Sequence, residues 1–211
     1  HPNLSLKNPL SCINFQTKNF IMKLSTKIGL AIMLSAFSCT KEGGHISSRT
    51  STQSLNNSVT TKVHVGDTLG GGIVFYVDST RVHGLIAAVA DQGRIRWYNG
   101  AFTVTGAKGK KIGTGADNTQ EIINSQGAGG YAATLCVTYR GGGYTDWFLP
   151  SKAELGQLYK HKDVINGLSN FFYWSSTEVD STKAWSMSFY SGTYSEKSKG
   201  GQLDVRAIRT F

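Results

Sequence analysis

The sequence predicts one α+β domain over residues 62–211, with an antiparallel sheet and two or three short helices. Strand-like runs of alternating apolar residues come first, helix-like segments follow, and further strand-like runs close the chain. That order favours an antiparallel sheet, because a parallel sheet of βαβ units would make strands and helices alternate. The segment also has the usual length of one domain and needs no disulfide to bury a core.

A β-hairpin is expected at the start of the domain. Residues 71–78 alternate in apolar character, a second apolar run covers residues 83–89, and the segment between them suits a turn. Residues 95–98 predict a short further strand. A glycine-rich loop is expected to follow it, over residues 99–115.

Helices are expected after this loop. Asp117 or Asn118 should cap the first helix, which is predicted to run through Ser125 and to be stopped by Gly127. A second helix is expected over residues 131–139.

A third helix and three strands complete the prediction. Ser151 and Glu154 have the spacing of a capping box, which marks a helix start. Strand-like runs then cover residues 171–177, 184–190 and 203–209. No internal repeat is visible.

The net charge of +9 is unevenly distributed. Four of the 22 basic residues lie within residues 1–39, which contain no acid, so 18 basic and 13 acidic residues remain for the rest of the chain. This excess suits an acidic partner, but it is too small to indicate a nucleic acid.

Only one cysteine, Cys136, lies inside the predicted domain; the other two are Cys12 and Cys39. A single cysteine excludes a disulfide within the domain and a cysteine-based zinc cluster. The apolar surroundings of Cys136 predict a small core side chain, and a reactive thiol is the alternative.

An export signal is expected at residues 22–39. Met22 is followed by two lysines and by an apolar run over residues 28–37, which is too short to span a bilayer but suits a signal peptide. Ala36-Phe-Ser-Cys39 resembles a bacterial lipobox, so Cys39 is the predicted site of lipidation. A buried helix with an incidental cysteine is the alternative.

The segments around this signal are not expected to fold. Residues 1–21 show no periodicity and precede a complete signal peptide, so we interpret them as translation upstream of a start at Met22. Residues 40–61 are rich in Ser, Thr and Asn and contain no aromatic residue, which predicts a flexible tether.

Basic and aromatic residues are interleaved between positions 94 and 111. This group is the predicted ligand-binding surface, and it suits an acidic or sulfated polymer. A solvated loop face is the alternative. Its members are Arg94, Arg96, Trp97, Tyr98, Phe102, Lys108, Lys110 and Lys111.

A set of motifs in the second half of the chain resembles a known family. The segments are Gly143-Tyr-Thr-Asp-Trp147-Phe-Leu149-Pro150-Ser-Lys-Ala-Glu154, Tyr173-Trp174-Ser-Ser-Thr-Glu178, Ala184-Trp185 and Val205-Arg206-Ala-Ile-Arg209. In this order they resemble the Lcl C-terminal domain, a bacterial domain found at the end of collagen-like adhesins. The resemblance covers nearly all of residues 66–211. It implies a fold similar to C-type lectins and formylglycine-generating enzymes, and a role in surface binding.

The motif residues are expected to be structural. The three tryptophans are predicted to pack in the core, with a sugar-stacking platform as the alternative. Glu178 is expected to pair with Arg206 or Arg209. The full set is Trp147, Leu149, Pro150, Glu154, Trp174, Ser175, Ser176, Thr177, Glu178, Trp185, Arg206 and Arg209.

No catalytic, metal-binding or cofactor-binding residues are predicted. The calcium–sugar motifs of C-type lectins are absent from the sequence, and Cys136 alone cannot supply the cysteine pair of formylglycine-generating enzymes. The histidines lack metal-ligand spacing. Residues 106–112 resemble a phosphate loop but lack its essential positions.

The sequence therefore predicts an exported, lipid-anchored binding module of the bacterial envelope, without catalysis. Its expected partner is an extracellular glycan or a surface protein, and its contact with the membrane is through the lipid only. A structural component of a surface assembly is one alternative. A glycan-acting or formylglycine-generating-type enzyme is another. The oligomeric state stays open.

Overall fold

The structure is a computed structural model, and it describes residues 62–211. The predicted upstream segment 1–21, the signal peptide 22–39 with Cys39 and the tether 40–61 lie outside the described residues. Within the described part, no helix has the length and apolar character needed to cross a membrane. The mixed helices and strands confirm the predicted α+β class. The likeness to C-type lectins stays a prediction.

Residues 62–211 form nine strands and three α-helices. The strands are β1 (Thr68–Leu69), β2 (Gly72–Val77), β3 (Gly84–Ala88), β4 (Gly93–Ile95), β5 (Phe172–Glu178), β6 (Lys183–Ser188), β7 (Tyr194–Ser198), β8 (Leu203–Val205) and β9 (Ile208–Thr210). The helices are α1 (Gly115–Gln126), α2 (Ala132–Thr138) and α3 (Lys152–Lys160).

The strands form two sheets where the sequence predicted one. The first has the order β1-β2-β3-β9 and is antiparallel throughout. The second has the order β4-β8-β5-β6-β7 and is antiparallel except where β5 meets β8, at Tyr173 and Asp204. The predicted hairpin is confirmed as β2 and β3.

The last predicted strand, residues 203–209, is wrong as a single element. Its first half is β8, which pairs with β4 and β5, and its second half is β9, which pairs with β3. Arg206 and Ala207 connect the two halves and are fully buried. The chain thus crosses from one sheet to the other without leaving the interior. The apolar alternation of the sequence continues across the break and so does not reveal it.

Two smaller strand predictions also differ from the structure. The strand expected over residues 95–98 lies earlier, at Gly93–Ile95. The chain turns inward at Trp97, whose N–H donates to the carbonyl of Lys199. Strand β7 was not predicted, since its sequence Tyr-Ser-Glu-Lys-Ser has no apolar alternation. It is an edge strand, where polar residues are common.

Local capping positions the helices. Helix α1 starts at Gly115, before the predicted caps. Asn118 is buried, and its side-chain amide bonds to the backbone of Gly109 instead of capping the helix. Gly127 ends this helix as predicted, with φ of 70°. The capping box of α3 is confirmed: Ser151 accepts from the N–H of Glu154, and Glu154 accepts from the N–H of Ser151.

Two apolar clusters fill the interior, and β5 contributes to both. Trp174 packs in the first cluster with Trp147 and with Ile122 of α1. The adjacent residue Tyr173 packs in the second cluster with Leu155 of α3. Successive side chains of a strand point to opposite faces, so β5 separates α1 from α3.

The predicted core positions are confirmed for Trp147, Trp174 and Cys136, which are buried. Burial also raises the pKa of the Cys136 thiol, which keeps it protonated and unreactive. The prediction was wrong for Trp185, which is only partly buried; the ammonium of Lys152 lies on its ring.

The predicted pairing of Glu178 with an arginine is also wrong. Glu178 pairs with Lys199, Arg206 pairs with Asp91 at 2.7 Å, and Arg209 pairs with Asp146 at 2.8 Å. These partners lie far apart in the chain, so only the folded topology brings them together.

Candidate functional site

The segment between β4 and α1 is a loop, and a buried carboxylate holds its middle. Glu178, at the end of β5, accepts hydrogen bonds from the N–H groups of Thr105 at 2.8 Å and Gly106 at 3.3 Å. The Nζ of Lys199 donates to the same carboxylate at 2.6 Å. Burial alone would raise the pKa of Glu178, but these hydrogen bonds and that of Lys108 outweigh it and lower the pKa.

Lys199 is fully buried beneath this loop. Its Nζ also donates to the carbonyl of Thr103 at 2.8 Å and lies 4.6 Å from the ring centroid of Trp97. Burial lowers the pKa of Lys199, and the Glu178 carboxylate opposes this shift. Trp97 is fully buried, and its indole N–H donates to the carbonyl of Ser175. The prediction that Trp97 belongs to an exposed ligand surface is therefore wrong, because its ring is part of the core.

A second buried carboxylate, Glu154, holds the far end of the loop. It accepts from the N–H of Gly113 at 2.7 Å in addition to closing the capping box with Ser151. Burial raises the pKa of Glu154 against the effect of these hydrogen bonds. A Cβ on Gly115 would lie 2.2 Å from the carboxylate, so only glycine fits beside it.

Three lysines meet where the loop contacts α3. The carbonyl of Lys110 accepts from the N–H of Ala153 at 2.9 Å, and the carbonyl of Lys111 accepts from the hydroxyl of Ser151 at 2.8 Å. Both lysine side chains are exposed, and among the described residues neither ammonium has a hydrogen-bond or ion-pair partner. We call Lys110, Lys111 and Lys152 the lysine cluster.

Lys152 is the partly buried member of the lysine cluster. Its Nζ lies 3.2 Å from the ring centroid of Trp185 and 4.8 Å from that of Tyr194. The Tyr194 hydroxyl donates to the Lys152 carbonyl at 2.9 Å, which fixes the tyrosine beside the lysine. Burial lowers the pKa of Lys152, the positive charge of Lys110 lowers it further, and Glu196 has the opposite effect.

The structure does not bring the other predicted ligand residues to this cluster. Lys108 is bound by Glu178 at 3.1 Å and by the carbonyl of Val179 at 2.8 Å. Arg94 lies 3.7 Å from the Asp204 carboxylate.

The remaining pair, Arg96 and Tyr98, forms a separate surface. The Arg96 guanidinium lies 5.7 Å from the ring centroid of Tyr98, and Tyr98 in turn stacks on Phe102 at 4.7 Å. The predicted cluster is therefore divided among separate contacts, and only Lys110 and Lys111 contact the same segment, the start of α3, through their carbonyls.

Lys152 and Tyr194 are residues that the sequence prediction missed. One signal for Lys152 was present: it directly follows the capping serine of α3, where the helix dipole favours an acid. The helix dipole therefore does not explain a lysine at this position. Tyr194 carried no signal, because it lies on the unpredicted strand β7.

The family-motif residues hold the loop and α3 together. The hydroxyl of Thr177 donates to the carbonyl of Gly109 and accepts from the N–H of Lys152. The N–H of Ser176 donates to the carbonyl of Pro150 at 2.7 Å. Leu149 bonds through its backbone to the Thr119 hydroxyl. These roles are structural, and they place the lysine cluster.

One comparison with known proteins gives a match. The model of the Lcl C-terminal domain matches residues 89–209, which is more than half of the chain and includes the loop, α3 and the second sheet. A search of curated proteins finds no match. Within residues 62–211, no group of three or more His, Cys, Asp or Glu side chains is placed to hold a metal ion.

Proposed function

The chain belongs to the family of Lcl C-terminal domains, and we therefore propose that it binds acidic or sulfated glycans at the bacterial surface through the lysine cluster. The family is that of a surface-associated, adhesin-related domain. The proposal assigns no catalytic step to the domain.

The position of Lys152 is the observation that carries the proposal. Its ammonium is partly desolvated between two aromatic rings, and the charge of Lys110 adds repulsion. The carboxylate that acts on it, Glu196, is already 3.6 Å from Lys183. Binding of an anion to such an ammonium is favourable, because the anion replaces the lost solvation of the ammonium and offsets its repulsion by Lys110.

The chemistry around the lysines favours a sugar as the carrier of that anion. Trp185 and Tyr194 both retain exposed surface beside the ammonium. Aromatic rings provide apolar surface with little conformational freedom, and they suit the apolar faces of sugar rings. Lysines act as point charges, which suits sulfate or carboxylate groups spaced along a polymer.

Charge reversal of the exposed lysines tests the proposal. With heparin as the probe, the double variant Lys110→Glu and Lys111→Glu should bind at least about tenfold more weakly than the unaltered protein, a change of about 1.4 kcal/mol. Binding by the unaltered protein should weaken as salt rises, because exposed charges are screened over about 8 Å at physiological ionic strength.

The matched control is Lys62→Glu with Lys160→Glu, which removes the same charge from exposed lysines outside the cluster. The control should retain most of the binding. Equal losses in both double variants would show that heparin responds to net charge alone, and the assignment to the lysine cluster would be rejected.

We also propose that the protein is exported and held in the envelope by a lipid on Cys39. The apolar run over residues 28–37 and the small residues before Cys39 support this. The full chain expressed in bacteria should incorporate labelled palmitate and partition into the membrane, and Cys39→Ala should abolish both. Secretion of an unlabelled protein would contradict the proposal.

A further inference from the structure

A polar cleft opens on the opposite end of α3 from the lysine cluster. It is formed by residues 162–170, has a volume of about 290 Å³, and is lined by side chains that include Asp163, Asn166 and Asn170. Helix α3 has nine residues. The cleft therefore lies about 13 Å along the helix from the lysine cluster.

A buried arginine fixes the shape of this cleft. Arg206 is fully buried, and its guanidinium donates to the carbonyls of Asn166 at 3.2 Å and Gly167 at 2.6 Å. It also donates to the carbonyl of Ala88 and to Asp91. The loop thus takes its conformation from a rigid planar donor in the protein interior.

Two further hydrogen bonds secure the end of the loop. The N–H of Ser169 donates to the hydroxyl of Tyr173 at 2.7 Å, and the Ser169 hydroxyl donates to Asp204. Tyr173 itself donates to Asp91 at 2.7 Å, which joins both anchors into one network. A loop held in this way loses little conformational entropy when a ligand binds.

An exposed aromatic residue directly follows the chain segment that lines the cleft. Phe171 directly follows Asn170, its N–H donates to the Ser169 hydroxyl, and its side chain is 62% exposed. The guanidinium of Arg94 lies 5.3 Å from its ring centroid. The ring therefore presents an apolar face to solvent beside the residues that line the cleft.

The charges around the cleft balance each other. Arg94 is paired with Asp204 at 3.7 Å, and Arg206 with Asp91. Lys162 and Asp163 are adjacent and of opposite sign, and the Lys162 ammonium donates to the carbonyl of Phe189. The side-chain amides of Asn166 and Asn170, by contrast, have no partner among the described residues. They offer donors and acceptors without net charge.

We infer that this cleft is a second binding site, and that its ligand is a neutral saccharide. The amides suit sugar hydroxyls, the Phe171 ring suits the apolar face of a sugar, and the balanced charges give no advantage to an acidic one. The volume lies just below the usual range of about 300–1,000 Å³ for small-molecule sites, which suits a small sugar unit. The inference does not depend on the proposed role of the lysine cluster.

An array of neutral and acidic saccharides, probed with the protein at about 1 M salt, tests the inference. Screening then acts within about 3 Å and suppresses binding by exposed charges. At least one neutral saccharide should still be bound. Phe171→Ala should weaken that binding about tenfold or more, whereas Phe102→Ala, which removes another exposed aromatic ring, should not.

The double variant Lys110→Glu and Lys111→Glu separates the two sites. It should leave the binding of neutral saccharides unchanged while it reduces the binding of heparin. The inference is overturned if no neutral saccharide is bound at high salt, if Phe102→Ala is as harmful as Phe171→Ala, or if the lysine variant abolishes neutral binding.

Discussion

Loop residues 105–114 and loop residues 162–170 are fixed by buried charges of opposite sign. The first loop presents N–H groups to the interior, and the carboxylates of Glu178 and Glu154 accept from them. The second loop presents carbonyls, and the guanidinium of Arg206 donates to them. Each buried charge therefore matches the backbone groups that its loop turns inward.

The difference extends to the outer surfaces of the loops. The first loop carries Lys110 and Lys111 outward, so cations lie outside a segment that is held by acids. The second loop carries asparagines and balanced charges outward. The contrast teaches that the buried charge matches the backbone conformation of each loop, while the exposed side chains are free to differ in charge.

Removing the carboxylate at the first loop should have the largest effect. Glu178→Gln leaves the fully buried ammonium of Lys199 without its charge partner. Breaking a buried pair from one side costs about 3–5 kcal/mol of unfolding free energy. Denaturant unfolding measures the loss, and adding Lys199→Met should restore part of it. If the single variant is as stable as the original protein, the pair does not hold the loop.

Replacing the arginine at the second loop should have the next largest effect. In Arg206→Lys, one ammonium cannot reach three carbonyls and Asp91 together, and each buried carbonyl left unpaired costs about 1–3 kcal/mol. We expect a loss of about 2–3 kcal/mol. Amide hydrogen exchange should become faster at Ser169 but not at Gly106. Faster exchange at both amides would show that the loops are not held independently.

Acid should weaken the first loop more than the second. The pKa of Glu178 is lower in the folded protein than its ordinary value of 4.5. Its contribution to stability is therefore complete above that value and is lost as the pH falls through the folded pKa. Arginine keeps its charge throughout this range.

Amide exchange at Thr105 and Gly106, corrected for its intrinsic pH dependence, should therefore accelerate below about pH 4.5. The amide of Ser169 donates to the uncharged hydroxyl of Tyr173 and not directly to a carboxylate, so its exchange should change less. Glu154 should respond to pH in the opposite direction. Because burial raises its pKa, its contribution to stability is complete below pH 4.5 and is lost as the pH rises through the pKa of the folded protein. An equal response of both loops to acid would remove the distinction between them.

The exposed lysines should have the smallest effect on stability. Lys110→Glu with Lys111→Glu changes only side chains in solvent, so the unfolding free energy should change by less than about 0.5 kcal/mol. Thermal unfolding measures this change. A larger loss would mean that the lysines support the fold, and that reduced heparin binding by this variant cannot be assigned to a surface.

The parts of the fold that were predictable are those determined by local sequence. The capping box at Ser151, the stop at Gly127 and the hairpin of β2 and β3 each depend on residues close together in the chain. Strand β7 was missed because a polar edge strand has no apolar period. The break after Val205 was missed because the alternation of Leu203, Val205 and Ala207 continues across it and these residues are all buried.

The candidate site was predictable only in part, for a related reason. Lys110 and Lys111 were visible as an exposed basic pair. Lys152 lies near them only because its neighbours Ser151 and Ala153 bond to their carbonyls across about 40 positions of sequence. Trp97 was placed on the surface because its neighbours are basic. Its burial follows from Lys199 and Ser175, which no local pattern connects to it.

The crossing of the last residues from one sheet to the other has a consequence for when the domain folds. Strand β8 joins β4 to β5, and β9 completes the first sheet, so neither sheet is whole until residues 203–210 are present. Contacts between residues so distant in sequence form late and slowly. Residues 68–95 are synthesised before the residues 203–210 with which β3 and β4 pair, so neither sheet can close until the second half of the domain has been made.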